Sequence, residues 1–426
     1  PNMRNFLDKI FFRSNNLDYI SQGIKEITEK TLAFKIFDAV NLHNPESEIR
    51  YVGGCLRKII NREKVEDIDL ATNLSPKEVC EVLKKENINY FETGIEHGTI
   101  TAIIDDYKFE ITSLRKDIST DGRHAKVEFS KNWKEDASRR DFTINSIYAD
   151  SKGNLFDPYD GKNDLEKGYI KFIGETDKRI KEDYLRILRY IRFFLDFSKH
   201  PHDFNVIRKL KINIGGVRKL SKERLLNELK KIIKLNLLEK LSKDKLCFEL
   251  VLMIFPELRH IKIFSKLSKY QTNILKEADF ILFLSLMIID ETDNAEYFLY
   301  KYNISKKDQN RIKNIDSFYK EKINLKTFTE INMNKFFYYN GKQATIDILN
   351  FRIIKSKKYD KNLLDLIELY KNKIVPTMPI KAEEIMTKYQ ITEGKYLGSK
   401  LKLIEEEWVN NNFQISEQQV ENIINN

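Results

Sequence analysis

Two stretches decide the fold of this chain: Val52-Gly53-Gly54-Cys55-Leu56-Arg57 and, shortly after it, Asp67-Ile68-Asp69-Leu70-Ala71-Thr72. The second stretch begins by alternating polar and apolar residues, which predicts a strand with Asp67 and Asp69 on one face. Mg²⁺ prefers a few carboxylates together with substrate phosphates, and a glycine turn lets the backbone approach phosphate closely. Together the two stretches predict a site for the metal and phosphates of a nucleoside triphosphate.

Two further side chains extend this site. Arg57 follows Gly54 by about one helical turn, so a guanidinium and backbone amides can hold triphosphate oxygens while the aspartates hold the metal. An ordinary strand-to-helix turn is the alternative. Glu110 lies between Phe109 and Ile111 on another predicted strand, which places it on the polar face with the aspartates. A solvated strand glutamate is an equal alternative.

Composition limits the partners and the compartment. The 426 residues carry a formal net charge of +10, which favours a polyanionic partner such as nucleic acid. The cysteines, Cys55, Cys80 and Cys247, are far apart and form no C-x-x-C motif. We therefore expect no disulfide framework and a reducing compartment, the cytoplasm or an organellar matrix. The apolar run 280–289 is too short to span a bilayer, so no membrane partner is expected.

The first part of the chain is predicted to be a head, residues 1–155, with a helical extension over 1–48. Apolar spacing in Leu32–Val40 predicts an amphipathic helix that ends near Asn44-Pro45. Glu48–Val52 is predicted to be the first strand.

Further signals complete the predicted head. Ser75-Pro76-Lys77-Glu78 is typical of a helix start, because it combines a serine cap, proline and a glutamate. Residues 98–105 and 107–113 are rich in β-forming residues and predict a hairpin through Asp105-Asp106. A small mixed sheet with flanking helices is therefore expected.

Helical periodicity dominates beyond about residue 160, and glycine and proline become rare. We predict a helical neck over 156–235, a body over 236–375 and a tail over 376–426. The main break, Val375-Pro376-Thr377-Met378-Pro379, predicts a loop or hinge. The expected fold class is α+β: a head with a mixed sheet, then an elongated, all-helical neck, body and tail.

Two clusters of charged residues follow the sheet. Within Arg139–Ser146, Arg139 and Arg140 are predicted to precede a helix start, which suits phosphate binding. A surface ion pair with Asp141 is the alternative. The segment Glu182–Arg192 is predicted to be one helix with an apolar stripe.

On that helix Asp183 and Arg186 are three residues apart and would be neighbours. One carboxylate beside one guanidinium complements the amino donor and ring-nitrogen acceptor that cytosine and adenine both present on their pairing edges. Uracil and guanine present the opposite order. An ordinary ion pair is the alternative. Because the helix turns about 100° per residue, Arg192 should point away from Asp183.

In this order the clusters resemble the class II tRNA nucleotidyltransferases, which are the CCA-adding enzymes and the related bacterial poly(A) polymerases. The resemblance covers roughly residues 50–232. The matching stretches are Val52–Arg57, Asp67–Thr72, Arg139–Asn145, Asp157–Gly161, Glu182–Arg192 and Glu223–Glu228. The segment from Pro379 to Trp408 also looks like the family's tail, which by analogy grips tRNA. Cys55 stands where the family usually has a small residue, and Lys58 where it usually has aspartate.

The resemblance implies transfer of nucleotidyl groups from CTP and ATP to the 3′ end of tRNA, without a nucleic-acid template. Asp67 and Asp69 would bind two Mg²⁺ ions, with Glu110 as a possible third catalytic carboxylate. The implied nucleotide-binding residues are Gly54, Arg57, Arg140, Asp183, Arg186, Arg189 and Arg192. Among these, Asp183 and Arg186 would select the base, with Arg189 and Arg192 in support.

Three relatives are distinguished by particular segments. Poly(A) polymerases usually carry an arginine-rich segment where this chain has Gly94–Thr99. Enzymes that add only CC lack a flexible loop that this chain keeps at Leu114–Phe129. A metal-dependent phosphohydrolase domain is not expected from the His202-Asp203 doublet alone. We therefore predict full CCA addition. The alternatives are a poly(A) polymerase, a partial CC-adding or A-adding enzyme, and a non-catalytic RNA-binding homologue.

Overall fold

The computed structural model describes residues 19–120, 125–321 and 328–426, with only the backbone of residues 118–120 and 125–127. The chain divides into two compact units, Pro1–Glu228 and Leu229–Asn426. The predicted head and most of the predicted neck fall in the first unit, and the body and tail in the second. The finer four-part division remains a prediction.

The first unit contains the strands. They are β1 (Ile49–Val52), β2 (Ile68–Thr72), β3 (Asn89–Gly94), β4 (Thr99–Ile104), β5 (Tyr107–Ser113), β6 (Arg115–Thr120), β7 (Ala125–Phe129), β8 (Tyr148–Ala149) and β9 (Leu155–Phe156). Seven of these described strands form one sheet, in the order β3-β4-β5-β2-β1-β8-β9, and β6 pairs with β7. The β2–β5 pairing is parallel, whereas β1–β2 and β4–β5 are antiparallel, so the sheet is mixed as predicted.

Helices surround this sheet and then make up the rest of the chain. In the first unit they are α1 (residues 19–30), α2 (Phe34–His43), α3 (Gly54–Ile60), α4 (Pro76–Lys85), α5 (Trp133–Ser138), α6 (Gly161–Lys167), α7 (Thr176–Glu182), α8 (Leu185–Phe197) and α9 (Phe204–Asn213). The helix α10 (Lys222–Ile232) spans the boundary between the units.

The described residues of the second unit form helices and connecting loops, without a strand. Its helices are α11 (Leu235–Lys243), α12 (Lys245–Ile254), α13 (Lys269–Leu275), α14 (Phe280–Ile288), α15 (Asn294–Lys301), α16 (Lys306–Lys320), α17 (Glu330–Lys355), α18 (Lys361–Asn372), α19 (Ala382–Tyr389), α20 (Lys395–Asn410) and α21 (Glu417–Asn425). Gly341 interrupts α17 with a φ of 86°. The α+β class is confirmed.

Several local predictions are confirmed. Ser75 caps α4, and its side chain and that of Glu78 form the expected reciprocal capping box. The β4–β5 hairpin turns through Asp105, whose φ of 51° is a left-handed conformation that aspartate tolerates. The helix α2 ends at His43, just before Asn44. Residues 373–381 form the predicted loop between α18 and α19.

Other local features differ from the predictions or lie partly outside the described residues. The helix predicted from Leu32 begins at Phe34, because Leu32 has a φ of 62° and separates α1 from α2. The strand β3 was not predicted, since most of its residues are exposed and it has no buried alternation. The loop predicted at Leu114–Phe129 instead forms the paired strands β6 and β7 over most of its length. Residues 121–124, and residues 1–18 of the predicted helical extension, lie outside the described residues.

Each unit buries its own apolar side chains. On one face of the head sheet, Val52, Ala71, Leu114, Ala137 and Tyr148 form a buried cluster. In the second unit, all residues of α14 except the first are buried, which explains the long apolar run in the sequence. Within the described residues, no helix is both long and apolar enough to cross a membrane.

Candidate active site

Three carboxylates meet at one end of the head sheet. Asp69 of β2 and Glu110 of β5 are directly paired in the parallel register, so their side chains point to the same face. Their strands are about 4.8 Å apart, the usual spacing between neighbours. Asp67 lies one residue before β2 and is exposed. The structure therefore places Glu110 beside Asp69, as predicted.

The protonation of Asp69 reflects this crowding. Burial, followed by repulsion from Glu110, raises the pKa of Asp69 to about 6, and Asp67 adds to the effect. A bound divalent cation would relieve that repulsion, and carboxylate oxygens are the ligands that such a cation prefers. Asp67, Asp69 and Glu110 therefore fit a divalent metal by the chemistry of their oxygen atoms.

A tight turn brings backbone close to these carboxylates. Gly53 links β1 to α3 with a φ of 72°, and a Cβ atom there would lie 3.5 Å from Asp69 Oδ2. Glycine supplies this conformation without steric cost. Behind the turn, the buried Cys55 thiol donates to the carbonyl oxygens of Val52 and Asp69 at 3.3 and 3.7 Å. Cys55 thus fills its position as a small residue that joins the turn to β2.

Three guanidinium groups surround the buried ring of Phe193. The guanidinium carbons of Arg57, Arg189 and Arg192 lie 5.1, 5.3 and 4.3 Å from its centroid. Burial, together with repulsion from Arg192 and Arg189, lowers the pKa of Arg57 to about 10. Guanidinium groups bind phosphate oxygens through charge-assisted hydrogen bonds, so this arginine cluster suits a polyanionic group such as a triphosphate.

Each arginine of the cluster is held by a polar side chain from elsewhere in the first unit. Arg57 donates to Asn145 Oδ1, and Asn145 Nδ2 donates to Asp141 Oδ1 at 2.9 Å. Arg189 Nε donates to Asp141 Oδ2 at 2.5 Å. Arg192 Nε donates to the buried Glu228 at 2.5 Å. The guanidinium groups are therefore fixed in position before any ligand binds.

Arg140 is fixed by a second network. Its Nη2 lies 3.2 Å from Asp136 Oδ2, and its Nε donates to the Tyr148 hydroxyl at 3.0 Å. Burial alone would lower the pKa of Arg140, but Tyr148 and Asp136 outweigh it and the pKa is raised. The prediction that Arg139 and Arg140 precede a helix is wrong. They follow α5, and only a short 3₁₀ turn comes after them.

The predicted base-selecting helix is broken. The helix α7 ends at Glu182, Asp183 is extended with a φ of −154°, and α8 begins at Leu185. Asp183 pairs with Arg224 at 2.8 Å and also accepts from the Leu185 amide. The prediction of one continuous helix with Asp183 and Arg186 as surface neighbours is therefore wrong.

Arg186 has different partners. Its Nη1 donates to the carbonyl oxygen of Arg179 at 2.7 Å and to Glu182 at 3.0 Å, and its Nη2 donates to the carbonyl oxygen of Arg139 at 3.1 Å. Arg179 also donates to the carbonyl oxygens of Arg139 and Arg140, at 2.6 and 2.8 Å. These contacts join α7 and α8 to the backbone at the end of α5.

Several residues of this region were missed as site residues by the sequence reasoning. They are Asp136, Asp141, Asn145, Arg179, Glu182, Arg224 and Glu228. Most of them lie within or beside the stretches singled out in the sequence, but their partners are far away along the chain. The alternative for Asp141 was a pair with its neighbouring arginines, whereas the structure pairs it with Arg189.

Adjacent strand carboxylates, a glycine turn and a fixed arginine cluster define a metal-dependent nucleotidyltransferase head. Similarity to known proteins supports the same class. Residues 49–171 match the family described as the Poly A polymerase head domain. The chain is 32% identical over 419 residues to the mitochondrial CCA tRNA nucleotidyltransferase 1 of Homo sapiens, covering 94% of this chain and 89% of that protein. The zebrafish (Danio rerio) protein of the same name is 30% identical, covering 88% and 86%.

This chain therefore belongs to the CCA tRNA nucleotidyltransferase family, and the resemblance seen in its motifs is confirmed. The family implies a divalent metal. A solved CCA-adding enzyme from Bacillus stearothermophilus, in complex with CTP, shares the fold with a TM-score of 0.68 and 19% identity, covering 92% of this chain and 96% of that one. A CCA-adding enzyme from Thermotoga maritima, complexed with tRNA, has a TM-score of 0.57.

Proposed function

We propose that this chain adds C, C and A to the 3′ end of tRNA from CTP and ATP, without a nucleic-acid template. The observation that carries the proposal is similarity to CCA-adding enzymes along almost the whole chain, with Asp69 and Glu110 paired on adjacent strands. The poly(A) polymerase alternative is not favoured, because the relatives that match along most of the chain are CCA enzymes.

The proposed metal is Mg²⁺, held by Asp67 and Asp69 with Glu110 beside them. When bound, it would activate the RNA 3′-hydroxyl and neutralise the departing pyrophosphate. The chain's own residues bind and orient the nucleotide. The backbone at Gly54 and the guanidinium groups of Arg57 and Arg140 contact the nucleotide.

Arg189 and Arg192, both on α8, supply further positive charge to the phosphates of the bound nucleotide. Because Asp141 and Glu228 fix these two side chains, the arginine cluster needs little rearrangement when the nucleotide binds.

Base selection is assigned to Asp183 and Arg186, in a form adapted to the broken helix. Asp183 stays partly exposed while it holds Arg224, so its carboxylate can also accept from the amino group of cytosine or adenine. Arg186 has five N–H donors, and its described contacts use three of them. The remaining donors can meet the ring nitrogen.

The proposed partners are tRNA, CTP and ATP, and the proposed compartment is the cytoplasm, with an organellar matrix as the second candidate. Cys55, Cys80 and Cys247 form no disulfide, which suits either reducing compartment. The human and zebrafish relatives are mitochondrial by name.

Asp69→Asn tests whether the chain is an enzyme or only an RNA-binding homologue. The substitution removes a metal-binding charge but keeps the side chain's size, so nucleotide incorporation should fall at least about a hundredfold. Binding of tRNA, measured by filter retention, should change little.

Asp105→Asn is the matched control, because Asp105 is an exposed aspartate in the β4–β5 turn and asparagine also tolerates its positive φ. Near-normal incorporation by Asp69→Asn would remove the metal role of Asp69. No incorporation by the unmodified chain would support the RNA-binding alternative.

A further inference from the structure

A cavity in the first unit lies against the face of α8 that points away from the arginine cluster. It has a volume of about 510 Å³, within the range of ~300–1,000 Å³ that is usual for small-molecule sites. Tyr190 and Phe194 of α8 line it, whereas Arg189 and Arg192 contact Phe193 in the arginine cluster. Since residues advance about 100° per step, these two sets lie on different faces of the helix.

Flat rings form the walls of this cavity. The rings of Tyr169 and His200 stack with centroids 4.1 Å apart and planes 6° from parallel. The rings of Phe194 and His202 stack at 3.7 Å and 15°. Each stacked pair covers one face of both its rings, so another flat ring can stack only on the outer face of a pair, as bases of any sequence do on aromatic surfaces.

Polar groups at the cavity fit the edge and the charge of a nucleotide. His200 Nε2 lies 2.8 Å from the Lys167 carbonyl oxygen and must donate to it, so Nδ1 of the neutral ring is an acceptor. Lys171 also lines the cavity: its Nζ lies 3.2 Å from Asp164 Oδ1 and 5.0 Å from the Tyr169 centroid. Its side chain is 58% exposed and carries three N–H donors, so it can pair with Asp164 and still donate to a phosphate. An acceptor and a cation beside flat walls suit an amino-bearing heterocycle with an attached phosphate.

This cavity is connected to the active site through packed rings. The buried ring of Phe142 lies 4.8 Å from Phe172, which lines the cavity, and 5.5 Å from Phe193, which carries the arginine cluster. Phe142 also directly follows Asp141, the partner of Arg189. An occupant of the cavity would therefore contact the same helix and the same ring cluster that position the arginines.

We propose that this cavity binds a nucleobase outside the catalytic site, stacked on Tyr169 and Phe194, with any attached phosphate near Lys171. The base comes either from a free nucleoside or nucleotide, or from an RNA bound to the enzyme. The two sources share the same chemistry and are separated by the experiment.

Photolabelling of the full chain with 8-azidoadenosine tests the proposal. This nucleoside has no phosphate, so the arginine cluster has little to hold. Saturable labelling is expected at residues 168–176 and 198–206, which line or flank the cavity, and not at the base-selecting residues Asp183 and Arg186; mass spectrometry of the digested peptides locates the labelled residues. Tyr169→Ala should reduce this labelling about tenfold, since it removes one stacking surface. His200→Ala is a second variant, in case the first does not fold.

Phe204→Ala is the matched control, because Phe204 is 79% exposed nearby on α9 and does not line the cavity. It should leave the labelling unchanged. A parallel arm uses tRNA transcribed with 8-azidoadenosine: labelling by the nucleoside assigns a free ligand, and labelling by the tRNA alone assigns an RNA base. No labelling at these residues in either arm, or labelling that is unaffected by both Tyr169→Ala and His200→Ala, would overturn the proposal.

Discussion

At the scale of single residues, the site is held together by carboxylates that form ion pairs with arginines of the same chain. Asp141 and Glu228 fix Arg189 and Arg192, and Asp136 fixes Arg139 and Arg140. Because these acids neutralise part of the positive charge, arginines can be gathered in a largely buried region without unfolding it. The carboxylates Asp67, Asp69 and Glu110 have a different environment: no described arginine or lysine forms an ion pair with them.

Asp136→Asn should destabilise the head in a pH-dependent way. Burial raises the pKa of Asp136, but Arg140, Arg139 and Tyr148 outweigh it and lower the pKa from 3.8 to about 2. The stabilisation from a lowered pKa is present above the unfolded value of about 4 and is lost as pH falls towards 2. The variant should therefore lose about 2 kcal/mol at pH 7.

Urea unfolding of the parent protein and of the Asp136→Asn variant at pH 7, 4 and 3 measures the difference in their free energies of unfolding. This difference should become smaller below pH 4. Asp106→Asn is the control, because Asp106 is exposed in the turn between β4 and β5. Its free energy of unfolding should differ from that of the parent by the same small amount at each pH. A difference between the Asp136→Asn variant and the parent that stays constant over this range would contradict the role of the charge.

Asp183→Asn should weaken base selection more than it weakens tRNA binding. The amide can present its NH₂ group where a carboxylate only accepts, so uracil and guanine are rejected less strongly. The ratio of UTP to CTP incorporation should rise at least about tenfold, for a loss of about 1.4 kcal/mol in discrimination. An unchanged ratio in competition assays would remove Asp183 from base selection.

Residue patterns predicted part of this site because part of it is local. Asp67 and Asp69 are two residues apart, and alternation along β5 predicted the face of Glu110. The partners of the arginines are not local: Asp141 and Arg189 are 48 residues apart, and Arg57 and Asn145 are 88 apart. Such pairs depend on how helices pack on the sheet, which no local pattern encodes.

At the scale of elements, the break between α7 and α8 changes how these two helices contact the end of α5. The extended Asp183 lets α7 turn into α8, and the side chains of Arg179 and Arg186 then reach the backbone at Arg139. Periodicity did not predict this break, since neither glycine nor proline marks it. Tyr184, which lies between Asp183 and the start of α8, packs instead against a glycine far along the chain. Gly216 has no side chain and so leaves room for the Tyr184 ring.

Gly216→Ala should therefore destabilise the first unit. A Cβ atom at this position would lie 2.0 Å from Tyr184 Cε1, so the ring at the start of α8 must move. Overpacking of this kind costs about 1–3 kcal/mol. Urea unfolding measures the loss. Gly215→Ala is the matched control, because its Cβ atom would meet nothing within 4 Å. Equal stability of the two variants would contradict the packing described for Tyr184.

Other elements show where sequence patterns succeed and fail. Capping at Ser75 is decided by residues within one turn, and it was predicted correctly. The exposed strand β3 lacks an apolar face and was missed, because it is specified by pairing with β4 rather than by its own residues. The start of α2 was misplaced because Leu32 adopts a left-handed conformation that its side chain does not favour.

At the scale of the whole molecule, two compact units share one chain that carries a net charge of +10. The first contains the carboxylates and the arginine cluster, and the described residues of the second form helices and connecting loops without a strand. Within the second unit, α19, α20 and α21 share a small buried core of Ile385, Leu397, Ile404, Val420 and Ile424. The similarity to CCA-adding enzymes extends over both units, which is why we assign the complete reaction to this chain.

The most direct test is the product that the purified chain makes from CTP and ATP on a tRNA lacking its CCA end. Sequencing gels should show the addition of C, C and A and then a stop. CTP alone should add only the two cytidines, and ATP alone should extend only a tRNA that already ends in CC. Generic RNA, as the control, should not be extended. Long runs of A on generic RNA, or a product that stops at CC when ATP is present, would contradict the account.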